Sequence, residues 1–393
     1  MTTPRPPVLV LGSGLTVLGA IRLLGRAGFA PLVASDAPGI EQKSRWYRAA
    51  PSSRAKTGPR ADLRAWLDGL PLERAVLLPC ADDLALAVAQ IAAQVADRFP
   101  TSLSTHPSLQ TVIDKGRLAC VLDELNLPHP RTIQVDAAAV DSLPDSVLDG
   151  AFLKPRDSVA FFRQFGVKAF RVTTRADLAG RLADVRRLDL SVQLQEYVPG
   201  PPSNHYYVEG FIDRDRRRRA LFVRQRLRMY PPDFGNSTSF ESVEPSVVAD
   251  AVATIDALLS HVNYRGIFSA EFKRDARDGA CKLIEVNARP WWFVEFAGQC
   301  GVNVCAMSVL DALGESVPET LGYRLGKSCV HPYYDYFACH DLWEKGELSG
   351  VAWISSWLRA TQPVLRWSDP LPAMSQTATM VKRRLSSYFR KAG

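Results

Sequence analysis

Two short acidic strands, one on each side of Asp278-Gly279, constrain this chain more than any other feature. Phe268-Ser-Ala-Glu-Phe-Lys273 and Leu283-Ile-Glu-Val-Asn-Ala-Arg289 both read as strands, and the Asp-Gly pair between them supplies the turn. An antiparallel hairpin then brings Glu271 and Glu285 near facing positions, where two carboxylates repel unless a cation neutralises them. Asn287 lies two residues beyond Glu285 and so on the same strand face. Two carboxylates and an amide oxygen suit a hard divalent ion, Mg²⁺ or Mn²⁺, whose shell phosphates would complete. The flanking residues are too apolar for a freely solvated strand, which argues against a merely acidic surface.

The rest of the chain reads as α/β. At 393 residues it exceeds what one core usually holds, so two or three packed subdomains are expected. The first segment alternates strand and helix as a parallel sheet does: Val8 to Leu11, helix Leu15 to Ala27, strand Pro31 to Ser35, strand Ala75 to Pro79, helix Asp82 to Arg98. A second α/β segment carries helix Lys115 to Leu125 and a short strand Phe152 to Lys154. The chain then becomes β-rich from Tyr206, with a helix from Pro245 to His261 ahead of the acidic hairpin. Trp343, Trp353, Trp357 and Trp367 suggest a small packed appendage at the end.

In the first segment Gly12-x-Gly14-x-x-x-x-Gly19 follows a strand and opens a helix, with Asp36 after the second strand. These are parts of a dinucleotide site, but Val17 stands where the third glycine of the usual spacing belongs. A nicotinamide-dependent dehydrogenase is therefore an alternative reading.

The net charge of +7 suggests nucleic acid until the arginines are placed. Arg214 to Arg219 falls between two strand-like runs and reads as a solvated hairpin tip. Lys382-Arg383-Arg384 and Arg390-Lys391 lie on the final tail, whose Leu385, Tyr388 and Phe389 give it the one feature suited to anionic lipid. Neither cluster accompanies a nucleic-acid-binding module, so no nucleic-acid partner is expected. The seven cysteines form no C-x-x-C pair and read as reduced, buried thiols. Apolar runs fall short of the roughly 18 uncharged residues a span requires, and the N-terminus lacks the parts of a signal peptide. A cytoplasmic enzyme is the expectation.

The run Leu283-Ile-Glu-Val-Asn-Ala-Arg-Pro290 resembles the metal-binding strand of ATP-grasp enzymes, such as D-alanine and D-aspartate ligases and carbamoyl-phosphate synthetase. The resemblance extends over roughly residues 1 to 310. It implies an ATP-grasp fold: a Rossmann-like domain over residues 1–110, two α+β subdomains over 111–193 and 194–325 enclosing ATP, and an appendage with a basic tail over 326–393. It also implies that Lys115 and Lys154 touch phosphate, that the backbone of Glu196, Tyr197 and Val198 meets adenine, and that Glu209 meets ribose. Arg226 and Arg228 alternate onto one strand face, where one would bind the γ-phosphate or the acyl phosphate. Arg289 becomes the candidate for the oxyanion, because Ser269 stands where some relatives carry an arginine. The segment Arg156 to Gly166, which would cover the triphosphate as a loop, holds a single glycine where many relatives have several. Trp291, Trp292 and Phe293 fall where relatives contact the acceptor, although core packing accounts for them equally well.

The activity so implied is ATP-dependent joining of a small carboxylate to an amine through an acyl phosphate, by a homodimer in many relatives. A thiol, hydroxyl or bicarbonate acceptor, or nucleotide binding without turnover, would use the same ATP residues.

Overall fold

The computed structural model describes residues 5–379 apart from 36, 136–139, 141–142, 144–147, 149, 156–157, 233–234 and 321. The expectations for Asp36, Arg156 and the basic tail lie outside the described residues, as do the side chains of 158–160.

The first unit is a parallel sheet in the order β2-β1-β3, formed by β1 (Val8–Leu11), β2 (Pro31–Ala34) and β3 (Val76–Pro79). Its central strand, Val-Leu-Val-Leu, is buried on both faces, as a parallel strand between helices must be. Helices α1 (Leu15–Arg26), α2 (Leu63–Asp68) and α3 (Asp82–Val95) accompany it. Next come α4 (His106–Ile113) and α5 (Lys115–Glu124). Asp114 caps α5 by accepting from the Gly116 and Arg117 amides, both at 2.9 Å, and this fixes Lys115 at the first helical position.

A four-stranded antiparallel sheet follows, in the order β4-β7-β5-β6. It comprises β4 (Thr132–Gln134), β5 (Ala151–Pro155), β6 (Phe170–Arg171) and β7 (Val192–Glu196), with α6 (Ser158–Phe165) and α7 (Arg175–Arg187) between strands. Because β7 pairs with both β4 and β5, this sheet runs as far as Glu196. The segment expected to be a loop over the phosphates is largely the helix α6.

The six-stranded sheet has the order β12-β11-β8-β9-β10-β13. Its strands are β8 (His205–Ile212), β9 (Arg218–Tyr230), β10 (Asn236–Ser242), β11 (Gly266–Arg274), β12 (Cys281–Asn287) and β13 (Ser328–Val330), with α8 (Ala249–His261) between β10 and β11. Alternation along the strands divides the interior into two cores. Tyr206, Val208, Phe268, Ala270 and Phe272 pack with Ile255 and Leu258 of α8. Tyr207, Phe211, Phe222 and Phe240 face the other way, toward α9 (Val294–Cys300) and α10 (Val304–Leu313). The β8–β9 turn is basic as expected, but its arginines are tied down: Arg214 and Arg219 pair with Asp311 and Asp213.

The end of the chain is more integrated than an appendage. Strand β13 extends the main sheet, and α11 (Pro332–Glu344) lays the fully buried Asp335 against β9 and β10. There Asp335 accepts from Arg228 at 2.7 and 2.9 Å, from Thr238 at 2.6 Å and from the Trp357 indole of α12 (Gly350–Arg359) at 2.7 Å. Further on, Asp369 returns to the first unit and meets buried Arg22 at 2.8 Å and Ser44 at 2.6 Å. The tryptophans are not a common core: Trp343 and Trp367 are exposed, as are Val351, Ile354 and Leu358 on α12. No single described helix is long and apolar enough to cross a membrane.

Candidate active site

A cavity of about 420 Å³ opens between the four-stranded and six-stranded sheets. Its floor is the odd-numbered face of β8 and β11 with the matching residues of β9 and β12, and its roof carries Lys154 and Lys168.

Glu271 and Glu285 are direct cross-strand partners, and Asn287 pairs with Ser269 one step along the same face. Glu285 takes no hydrogen bond or ion pair from any described residue. Glu271 is anchored: Oε1 accepts from Arg226 at 2.8 Å and from His205 Nδ1 at 2.9 Å. Burial opposes its ionisation, yet Arg226 and the His205 hydrogen bond hold its carboxyl well below the usual range. Burial pushes His205 down to about 4, so the imidazole is neutral near pH 7 and its Nδ1 donates to the carboxylate. The free oxygens of this set match a hard divalent cation and leave room for ligand oxygens.

Lys154 points at the acidic pair from β5, with its ammonium 3.3 Å from Gln195 Oε1. Burial lowers it to about 8, opposed by the charge of Glu285 and assisted by that of Lys115. Lys115 itself is not on the wall; it donates to the Pro155 carbonyl at 3.0 Å and acts on the cavity through its charge. A second roof cation, Lys168, donates to Asn236 Oδ1 at 2.6 Å. No regular element holds Lys168, and the sequence carries no signal for it.

The two arginines of β9 separate cleanly. Arg226 lines the cavity and bonds Ser237 Oγ at 2.5 Å, the Tyr207 hydroxyl and Glu271, whereas Arg228 turns to Asp335 and is not on the wall. Arg224, two residues earlier, also reaches the cavity.

Glu209, expected to meet ribose, does not line the cavity. It is fully buried and off the cavity wall, with both oxygens held by Arg224 at 2.8 to 3.1 Å and one by Ser269 at 3.0 Å. At the hinge the backbone amides of Glu196 and Tyr197 donate to the carbonyls of Arg131 and Gly150 at 2.9 and 3.1 Å. The Val198 amide has no partner among the described residues and is the one free to meet a base. The Glu196 carboxylate is engaged by Arg277 and Lys282, while Lys273 lies 4.6 Å from the Tyr197 ring centroid.

At the opposite end Arg289 donates to Asp82 at 2.9 Å, Asn287 at 3.0 Å and the Pro290 carbonyl at 3.0 Å, and its buried Nε has no partner among the described residues. Trp291 and Phe293 are buried, Trp292 is exposed, and all three line the cavity.

The glycine turn of the first unit is filled by the chain itself. Gly12 and Gly14 adopt positive φ, as their type allows, but the Gly14 amide donates to the buried Glu41 carboxylate at 2.9 Å. A carboxylate thus stands where a pyrophosphate would approach the start of α1, which argues against the dehydrogenase reading.

No family model matches this chain. Over 246 residues it is 26% identical to a D-aspartate ligase of Enterococcus faecium (strain Aus0004), covering 60% of this chain and 58% of that protein; the chain thus spans somewhat more than half of this curated relative's length. Among solved structures it resembles an L-amino acid ligase from Bacillus licheniformis (TM-score 0.58, 15% identity, 79% of this chain and 75% of that one). It also resembles phosphoribosylglycinamide synthetase from Anaerococcus prevotii (TM-score 0.59, 12% identity, 82% and 79%). A third likeness is to carboxyaminoimidazole ribonucleotide synthase from Aspergillus clavatus complexed with ATP (TM-score 0.60, 12% identity, 82% and 80%). The fold is the ATP-grasp fold.

Proposed function

We propose that this protein is an ATP-dependent ligase that joins a small carboxylate to an amine through an acyl phosphate, releasing ADP and phosphate. The observation that carries this reading is the facing pair Glu271 and Glu285, with Asn287, opposite the half-buried Lys154 in one cleft. Oxygen donors on one wall and cations on the other are what a metal-bound triphosphate requires. The similarity to a D-aspartate ligase favours an amine acceptor and an amino acid or related acid as substrate.

Glu271, Glu285 and Asn287 would hold Mg²⁺ or Mn²⁺, which when bound offsets the charge of the phosphate oxygens. The Val198 amide would receive the adenine, and Lys154 and Lys168 would hold the β- and γ-phosphates. A substrate carboxylate oxygen attacks the γ-phosphorus, and the bond from phosphorus to the ADP oxygen breaks. Arg226, fixed by Ser237 and Tyr207, stabilises the transferring phosphoryl group. The amine then attacks the acyl carbon and gives up a proton, while Arg289 Nε donates to the oxyanion. Collapse expels phosphate and leaves the amide. Little covalent work falls to the protein, in keeping with the absence of a legible nucleophile and base pair in the sequence.

The test is substrate-dependent ADP release by Glu285→Gln and Lys154→Ala variants whose folding is checked by their unfolding transitions. Losses of at least 100-fold are expected; full activity in either folded variant would overturn the reading.

A further inference from the structure

Helix α12 turns an apolar stripe to solvent. Val351, Ile354 and Leu358 are three and four residues apart and so share one face of the helix, and they are 81%, 63% and 82% exposed. Another face holds α12 in place: the Trp353 ring centroid lies 5.6 Å from that of Tyr336, and the Trp357 indole donates to Asp335 at 2.7 Å. None of the ten residues of α12 is fully buried.

Single exposed apolar side chains are ordinary, but these are not isolated. Of the sixteen large apolar side chains exposed among the described residues, six fall between Val351 and Met374, the remaining three being Trp367, Leu371 and Met374.

The net charge of the chain is gathered in the same stretch. From Ser349, which caps α12, to Gly393 the sequence has seven basic residues against one acid. That acid, Asp369, is buried against Arg22 and Ser44. The other 348 residues carry 41 basic and 40 acidic side chains, so these 45 positions supply nearly all of the net +7. Apolar side chains held out in solvent, beside an excess of lysine and arginine and without an exposed acid, suit an anionic bilayer.

Other occupants fit less well. A symmetric pair of copies would set two such basic stretches against each other, and a stable interface needs about 20–30 residues a side, more than one face of a ten-residue helix offers. Nucleic acid is gripped by stacking rings, whereas the α12 stripe is aliphatic. Nor can α12 span a bilayer, since its ten residues are half of the roughly 20 required.

We infer that α12 and the stretch that follows it form a docking surface for an anionic lipid bilayer, with Val351, Ile354 and Leu358 inserted at the boundary of headgroups and acyl chains. The basic residues supply the attraction to the headgroups. Glu344 and Glu347 are exposed ahead of α12 and Arg359 at its far end, so the Leu358 end approaches first. The surface uses no residue of the cleft and is independent of the ligase reading.

The experiment floats the whole chain with vesicles of equal parts phosphatidylglycerol and phosphatidylcholine, and with vesicles of phosphatidylcholine alone. Binding to the anionic vesicles should be tighter by about tenfold or more and should weaken as salt is raised. Leu358→Ser, with folding checked by its thermal midpoint, should weaken that binding about tenfold, the loss of one apolar side chain from the lipid. Lys382→Gln, Arg383→Gln and Arg384→Gln combined should remove most of the preference for anionic vesicles. No association with the anionic vesicles, equal binding to both kinds, undiminished binding by Leu358→Ser or an unchanged preference in the glutamine variant would each overturn the surface. So would a dimer in lipid-free solution that Leu358→Ser converts to a monomer, since the stripe would then belong to a second copy. Should Leu358→Ser fail to fold, Ile354→Ser is read in the same way.

Discussion

Lys154 shows how position sets the properties of one side chain. Its Nζ faces two carboxylates, yet burial holds it at about 8, so it loses its charge just above neutral pH. The folded protein binds fewer protons than the unfolded chain between about pH 8 and the usual lysine value, and the depressed value therefore makes stability without ligand rise with pH there. Phosphate binding runs the other way, because it needs the ammonium. The rise in thermal midpoint given by ATP and Mg²⁺ should shrink as pH passes from 7 to 9, and Lys154→Arg, which stays charged, should keep it. An unchanged pH profile in the arginine variant would remove Lys154 from the phosphate site. The acidic hairpin, Asn287, Lys154 and Arg289 were legible in the sequence because each belongs to a continuous strand or the residues just after it. Arg224 and His205 were not, since their place depends on which strands pair and in what register, and Lys168 was not because it lies in an irregular segment. The resemblance pointed to Glu209 as a ribose contact, but it cannot show that Arg224 folds back over that carboxylate.

At the scale of elements, the hairpin strands were read to within one or two residues, because each has a clear turn or breaker at its ends. The helix α6 was missed: Val-Ala-Phe-Phe-Arg-Gln-Phe resembled a phosphate loop only by its place after Lys154, and its lack of internal glycine was the local signal for helix. The docking of α11 was also invisible, because the polar contacts that seat it converge on Asp335 from distant parts of the chain. Asp335 is fully buried and carries Arg228, Thr238 and Trp357. Asp335→Ala would leave the Arg228 guanidinium buried without its partner, a loss expected near 3–5 kcal/mol. Denaturant titration reads it as a lower midpoint at unchanged slope, and a change under 1 kcal/mol would mean that α11 is held by its apolar contacts instead.

At the scale of the whole molecule, the three sheets were foreseen as separate regions, but the sequence could not show how the two ends meet. Arg22 is fully buried in α1, with Glu295 at 2.9 Å, Asp369 at 2.8 Å and the carbonyls of Pro363 and Val364 at 3.1 and 3.0 Å. Three of those four partners come from the last 31 residues, and the fourth from α9. Truncation after Thr361 should therefore lower the thermal midpoint of the first unit, even though it removes nothing from the cleft. On the ribosome the consequence is one of timing. The first parallel sheet emerges early, but Arg22 on its helix α1 meets its first counter-ion, Glu295, only 273 residues further on, and its second, Asp369, 347 residues further on. Its final locking therefore waits for Asp369, and a chain stalled before that residue presents its earliest-made part as its least settled.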